Sequence, residues 1–197
     1  MIFSDLLNNF CDPDKIVLVA TATNGLKPQT DRLLGVTIGN QGRQVMFLRQ
    51  TDLEDLEKAQ DYHKISYELM LDTAYEESDF KAAIELKLKD KYVFTYNPSF
   101  QYSFLTQVME EEDLKLMDLT IIYKALEQGM QFSEEDLGSM ENFYAACQIY
   151  NSIPINKLMA KLEMSKAPAP GQLPMERMVQ VLQRLLERSY PLEVAAL

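Results

Sequence analysis

The feature that most constrains the fold is an apolar run that leads directly into small polar residues, IVLVATATNGL at residues 16–26. Four branched or apolar residues in succession, 16–19, are typical of a β-strand that is buried on both faces. The Asn24-Gly25 pair then predicts a turn. Because α/β proteins bind ligands at the carboxyl ends of their strands, the end of this strand is a candidate site. Its side chains are two alanines, two threonines and an asparagine, and none of them is a strong acid, base or metal ligand.

The composition predicts one sizeable hydrophobic core. It disfavours both a membrane-spanning protein and a basic nucleic-acid-binding protein. The chain has 197 residues, 47% of them hydrophobic, but no apolar run approaches the roughly 20 residues that span a bilayer. A net charge of −11 argues against non-specific nucleic-acid binding, which depends on Lys and Arg. The acidic N-terminus does not resemble an export signal. We therefore expect a cytoplasmic protein with two free thiols, Cys11 and Cys147, and no disulfide.

Hydrophobic periodicity predicts a mixed sheet that is flanked by helices. Strands are predicted at residues 15–23, 33–38, 45–48, 92–96 and 114–119, with a hairpin turn at 39–42. Helices are predicted at residues 1–12, 53–59, 67–71, 78–88, 98–108, 120–128, 137–149, 155–164 and 174–189. Ser78 is the expected N-cap of its helix. Strands that alternate with helices in this order indicate an α/β fold.

Common catalytic motifs are absent from the sequence. The single histidine, His63, and two distant cysteines cannot supply a Cys/His zinc site, and no nucleophile motif surrounds His63. Glycine-rich phosphate-binding motifs are also missing. Carboxylates are plentiful, so a two-metal hydrolytic site has to be considered. Asp118 is the one acid that follows an apolar strand and precedes a helix, and a helix cap is the favoured interpretation over a metal ligand.

The 16–26 segment resembles the first motif of the DEDD-type 3′–5′ exonucleases, the family of the epsilon proofreading subunit of bacterial DNA polymerase III. In that family a strand runs into Asp-x-Glu-Thr-Thr-Gly-Leu. The matching positions of this chain are Thr21, Thr23, Gly25 and Leu26. The two acids of the motif are replaced by Ala20 and Ala22.

Further segments resemble motifs of the same family in the same order. Residues 63–69 resemble its structural His-Gly-Ile-Thr segment, and Asp118 resembles an acid that is not a catalytic ligand there. Residues 96–105, YNPSFQYSFL, resemble the second motif, with Gln101 in place of the metal-binding Asp. The third motif, His-x-Ala-x-x-Asp-Ala, aligns best with residues 156–161. That alignment places Asn156 at the general base and Lys161 at the last acid.

The resemblance covers about residues 15–165 and implies a ribonuclease H-like α/β fold, with a mixed five-stranded sheet flanked by helices. The family cleaves phosphodiesters with two divalent ions that are held by four acids, and such ions need negative oxygen ligands. The equivalent positions here are Ala20, Ala22, Gln101, Asn156 and Lys161. We therefore expect no cofactor and an inactive exonuclease-like domain that acts in binding or scaffolding. The alternative is a divergent, active exonuclease that uses Mg²⁺ or Mn²⁺ with relocated acids, such as Asp118 or acids within 110–113.

The sequence also suggests a division of the chain and possible partners. We expect an exonuclease-like domain at residues 1–166, followed by a linker and an amphipathic helix at 167–197. The apolar face of that helix either packs back on the domain or binds a partner protein or a second copy. Lys161 is a hypothetical fixed charge in the position of a metal ion. Nucleic-acid binding through aromatic stacking is a third possibility, carried by Tyr96, Phe100 and Tyr102. No membrane partner is expected.

Overall fold

A six-stranded mixed sheet forms the centre of the computed structural model, which describes residues 3–40, 42–164 and 169–187. Its strands are β1 (Ile16–Thr23), β2 (Leu33–Asn40), β3 (Arg43–Arg49), β4 (Ala74–Tyr75), β5 (Tyr92–Thr95) and β6 (Lys115–Asp118). Their spatial order is β4-β3-β2-β1-β5-β6. β1 pairs antiparallel with β2 and parallel with β5. The five predicted strands are therefore present, and the additional strand is the two-residue β4 at one edge.

Short helices surround this sheet on both faces. Within the described residues they are α1 (Phe3–Asn8), α2 (Leu53–Glu57), α3 (Gln60–His63), α4 (Tyr67–Thr73), α5 (Glu77–Leu88), α6 (Pro98–Leu105), α7 (Leu119–Glu127), α8 (Met140–Cys147), α9 (Ile155–Lys161) and α10 (Pro174–Leu186). Most of them are shorter than predicted because helix ends carry weak sequence signals. None of these helices is both long enough and apolar enough to cross a bilayer.

Two predictions about helix starts have opposite outcomes. Asp118 is the N-cap of α7, since its side chain accepts a hydrogen bond from the Thr120 amide. The prediction for Ser78 is wrong: α5 begins at Glu77, and the preceding Glu76 makes no side-chain cap hydrogen bond. Residues 188–189, the predicted end of the last helix, and residues 167–168 of the predicted linker lie outside the described residues.

β1 divides the core into two hydrophobic clusters, because successive side chains of a strand point to opposite faces. Leu18 and Ala20 belong to the cluster that also contains residues of α7, α8 and α10. Val17 and Val19 belong to the cluster that contains residues of α5 and α6. The strand is therefore buried on both faces, as its apolar run predicts.

α10 packs on the sheet over β1 and β2. The sheet surface beneath α10 consists mainly of small residues. Gly35, Thr37 and Gly39 of β2 pair there with Ala22, Ala20 and Leu18 of β1. Residues that pair directly across two antiparallel strands share one face of the sheet. A methyl group on Gly39 would lie only 2.5 Å from Val179 Cγ1, and one on Gly35 would lie 3.2 Å from Met175 Cε. The last helix was expected either to pack on the domain or to bind a partner, and in the structure it packs on the domain.

Both cysteines are free thiols, as predicted. Cys147 is buried, whereas Cys11 is half-buried. Burial raises the pKa of Cys147 to about 12, so this thiol stays protonated at neutral pH. Its environment is that of a core side chain and gives no sign of a reactive thiolate.

Candidate functional site

The carboxyl end of β1 is apolar at the two positions that matter most for the exonuclease resemblance. Ala20 and Ala22 are 3% and 6% exposed and lie in the same hydrophobic cluster as Met175 and Val179 of α10. Between them, the Thr21 hydroxyl is buried and has no hydrogen-bond partner. This end of the strand is therefore closed by apolar packing and carries no charge.

The turn that follows β1 is, by contrast, densely hydrogen-bonded. Asn24 is fully buried. Its side-chain amide donates to Asp55 Oδ1 at 2.8 Å, and its Oδ1 accepts from the Arg32 amide at 2.6 Å. The Arg32 guanidinium in turn lies 3.3 Å from Asp55. Asn24 thus joins the end of the strand to α2 and closes the turn on itself.

Asp31 provides the second anchor of this turn. Its carboxylate accepts from the Lys27 amide at 2.7 Å and from Lys58 Nζ at 2.6 Å. The hydrogen bonds from Lys58 and Lys27 lower the pKa of Asp31. A methyl group on Gly25 would lie 2.1 Å from this carboxylate. The glycine of the first motif is therefore required for a close approach between the turn and Asp31.

Gln107, just after α6, completes the network. Its Nε2 donates to the Pro28 and Asp31 carbonyls at 3.1 and 2.9 Å, and its Oε1 accepts from the Leu33 amide at 3.0 Å. Asp31, Asp55, Lys58 and Gln107 were not predicted as site residues, because their partners lie up to 79 residues away in sequence. The Asn24-Gly25 pair was the one local signal for this turn.

The second-motif position lies beside β1 on α6. Gln101 is 7% exposed, and its Oε1 has no hydrogen-bond partner. The Thr95 hydroxyl donates to the Val19 carbonyl at 2.7 Å and ties β5 to β1. Phe100 packs against Phe104 with ring centroids 5.0 Å apart. The buried polar side chains of this region, Gln101 and Thr95, are both neutral.

Asp118 is a structural acid. It is fully buried, and its Oδ1 accepts from the Thr120 amide at 2.8 Å and the Thr120 hydroxyl at 2.7 Å. Its Oδ2 accepts from the Ser152 hydroxyl at 2.5 Å, and its own amide donates to the Tyr144 hydroxyl. These bonds join β6, α7, α8 and the segment before α9. A metal ion at this carboxylate would have to replace them.

His63 is also structural. It is buried, and its Nε2 lies 3.0 Å from the Leu56 carbonyl, while its Nδ1 accepts from the Ile65 amide at 3.0 Å. These partners require a neutral ring protonated on Nε2. Burial lowers the pKa of His63, which favours the same form. The ring therefore fixes the connection between α2 and α4.

The side chains aligned with the third motif have partners on α9 and α7. Asn156 is exposed, and its Oδ1 accepts from the neighbouring Lys157 amide. Lys161 forms an ion pair with Glu127, which is the last residue of α7 and lies about 14 Å along that helix from Asp118. This ion pair disfavours the hypothesis that Lys161 fills the position of a metal ion, because a carboxylate at the far end of α7 holds its ammonium.

The side chains at the end of β1 do not fit a two-metal centre. Mg²⁺ and Mn²⁺ are held by carboxylates and other oxygen ligands. Here the equivalent positions of the first two motifs offer two methyl groups and one amide. Across residues 3–40, 42–164 and 169–187, no three His, Cys, Asp or Glu side chains are grouped so that they could hold a metal ion.

Solved structures share this fold at low sequence identity. A chain in the structure of the yeast NOT1 MIF4G domain co-crystallised with CAF1 matches with a TM-score of 0.55 at 10% identity, over 93% of this chain and 81% of that chain. The Mg²⁺- and Mn²⁺-bound form of S. pombe Pop2p matches with a TM-score of 0.55 at 11% identity, over 93% and 84%. The fold is ribonuclease H-like. This confirms the predicted fold class.

E. coli exonuclease I in complex with single-stranded DNA matches with a TM-score of 0.54 at 12% identity. The match covers 87% of this chain but only 40% of that enzyme. No protein-family model and no curated protein matches the sequence. The similarity to solved structures, at 10–12% identity, establishes the fold alone.

Proposed function

We propose that this chain is a degenerate exonuclease-like domain that no longer cleaves phosphodiesters and acts by binding another molecule. The observation that carries this proposal is the closed end of β1. Ala20 and Ala22 stand at the positions of the first-motif acids and are buried in apolar packing. A two-metal mechanism needs negative charge at these positions to hold the ions and to lower the pKa of the attacking water.

The helix that covers this strand supports the same proposal. Met175 of α10 lies next to Gly35, opposite Ala22, and Val179 lies next to Gly39, opposite Leu18. Two apolar side chains therefore bracket Ala20 on the face where metal-binding acids are expected. A hydrated divalent ion in this position would have to displace buried methyl groups, which costs hydrophobic and packing energy.

The polar network after β1 explains why part of the first motif is retained. Gly25 matches the motif and is required by the close approach of the Asp31 carboxylate. Asn24 replaces the second threonine of the motif and hydrogen-bonds to Asp55 and to the Arg32 amide. A side chain at position 25 would clash with the Asp31 carboxylate, and loss of the Asn24 amide would remove hydrogen bonds from Asp55 and Arg32. These interactions preserve the backbone of the motif without any need for metal binding.

An exonuclease assay tests the proposal. We expect no release of nucleotides from 3′-labelled single-stranded DNA or RNA with Mg²⁺ or Mn²⁺, under conditions in which exonuclease I degrades the DNA. Electron paramagnetic resonance of added Mn²⁺ gives a readout that is independent of activity, and we expect the signal of free Mn²⁺. Metal-dependent degradation that Asp118→Asn abolishes would overturn the proposal and establish the divergent enzyme instead.

A protein is the partner that we favour. The strongly negative net charge of −11 disfavours nucleic acid. Two of the solved structures with a similar fold are protein complexes, one of CAF1 with NOT1 and one of exonuclease I with the C-terminal segment of SSB. The apolar face of α10 is occupied within this chain. A partner of this domain therefore has to use another surface.

A further inference from the structure

A groove lies at the β4 edge of the sheet. Two short helices, α2 and α4, form its walls, each with a side-chain cap. Asp52 caps α2 and Ser66 caps α4. The cavity between them has a volume of about 350 Å³. We call this cavity the α2–α4 groove. Its apolar lining residues are Leu53, Tyr67, Met70, Leu71 and Ala74.

Three large apolar side chains of this groove face solvent. Leu71 is 66% exposed, Leu53 49% and Tyr67 47%, whereas Met70 forms a buried floor. Tyr67 and Leu71 are four residues apart on α4 and therefore lie on one face of that helix. Single exposed apolar residues are common, but several around one concave surface are typical of a binding site.

The surroundings of the groove are acidic. Residues 50–77 contain nine Asp and Glu but only two Lys and no Arg. Both lysines are already paired, Lys58 with Asp31 and Lys64 with Asp61. The groove is lined on its polar side by Asp52 and Glu76. Exposed acids also lie on α4, at Glu68 and Asp72.

We propose that the α2–α4 groove binds a basic amphipathic helix of a partner protein, an inference that rests on the binding role proposed above. An apolar stripe on such a helix would cover Leu53, Tyr67 and Leu71, and flanking Lys or Arg would face the acidic rim. Nucleic acid would bring phosphates to the same acids and is disfavoured. A second copy of this chain would bring an equally acidic rim and is disfavoured for the same reason.

A model peptide tests the groove directly. The probe is a fluorescein-labelled 18-residue helix of leucine and lysine with all leucines on one face, titrated with the full chain by fluorescence polarisation. A peptide of the same composition with scrambled order keeps the charge but lacks the apolar stripe. We expect the amphipathic peptide to bind at least tenfold more tightly than the scrambled one, with weaker binding at high salt.

Matched variants locate the binding surface. We expect Tyr67→Ser/Leu71→Ser to weaken binding of the amphipathic peptide at least tenfold. Leu86→Ser should leave binding within twofold, since Leu86 is 78% exposed on α5 and does not line the groove. Thermal unfolding of all variants checks that they remain folded.

Several outcomes would overturn the groove proposal. Equal binding of both peptides, or undiminished binding by Tyr67→Ser/Leu71→Ser, would show that net charge alone attracts the probe. Concentration-dependent self-association that the same double variant abolishes would make a second copy the occupant. Absence of peptide binding without nuclease activity would contradict the groove alone, whereas nuclease activity would contradict the inactive domain alone.

Discussion

The end of β1 and the turn that follows it differ sharply in chemistry. The end of β1 carries Ala20 and Ala22, which are buried among apolar side chains under α10. Only a few residues later, the turn carries Asn24 and Asp31, which are also buried but are hydrogen-bonded on every side. The two acids of the motif are absent and its glycine, Gly25, remains. Asn24 stands where the motif has a threonine, and Asp31 lies beyond the motif.

The difference indicates which positions a fold constrains by itself. In the exonuclease family the acids at positions 20 and 22 would serve the metal ions, so nothing in the fold requires them once catalysis is absent. Gly25 and Asn24 are required by contacts within the chain. Buried polar groups are costly to leave without partners, and close packing tolerates little added volume. Retained motif residues are therefore evidence for retained folding interactions and do not by themselves indicate activity.

The largest expected effect comes from restoring a first-motif acid. In Ala20→Asp a carboxylate would be buried in apolar packing without a partner, so we expect the free energy of unfolding to fall by about 3 kcal/mol or more. Urea denaturation measures this loss, and Ala82→Glu on the exposed side of α5 is the control. If Ala20→Asp were as stable as the parent and bound Mn²⁺, the end of β1 would be an open site.

Asn24→Ala tests how much the hydrogen-bonded turn after β1 contributes to stability. We expect Asn24→Ala to lower the free energy of unfolding by about 2 kcal/mol, because the buried Asn24 side chain would no longer hydrogen-bond to the Arg32 amide and to Asp55. Asn9→Ala, at an exposed position after α1, should change stability by less than about 0.5 kcal/mol. Equal stability of both variants would contradict the view that the turn is retained for its hydrogen bonds.

Adding one methyl group at Gly39 tests how closely α10 packs on β2. Gly39→Ala would place Cβ 2.5 Å from Val179 Cγ1. We expect a loss of about 1–2 kcal/mol, as is typical when a core is overpacked. Gly138→Ala is the matched control, since a Cβ there meets no atom within 4 Å. A neutral Gly39→Ala would mean that α10 is not seated firmly on the strands.

The smallest expected effect is a pH dependence from His63. Burial lowers the pKa of His63 below that of the unfolded chain, about 6.5. The unfolded state then binds more protons, so stability should fall as the pH drops below about 6.5 towards the folded-state pKa. In His63→Gln this part of the slope should disappear, as measured by urea denaturation between pH 5 and 8. An unchanged slope would assign the pH dependence to other groups.

Much of the fold follows from local patterns in the sequence. The apolar run at 16–19 predicts a strand buried on both faces, and Asp118 predicts the cap of α7, because strand burial and capping depend on near neighbours in the chain. The start of α5 and the strand β4 were not predicted. β4 has two residues and exists because it pairs with Leu48 and Arg49, which is a long-range contact without a local signal.

The sequence by itself determined the identity of the side chains at the candidate site, and with it the absence of acids at Ala20 and Ala22. Only the tertiary structure decided what surrounds them. In the folded chain α10 packs over the strand, Lys161 forms an ion pair with Glu127, and Asp31 interacts with Lys58 and Gln107. The physical reason is that a side chain's chemistry belongs to its residue, whereas burial and hydrogen bonding depend on partners that only folding brings together.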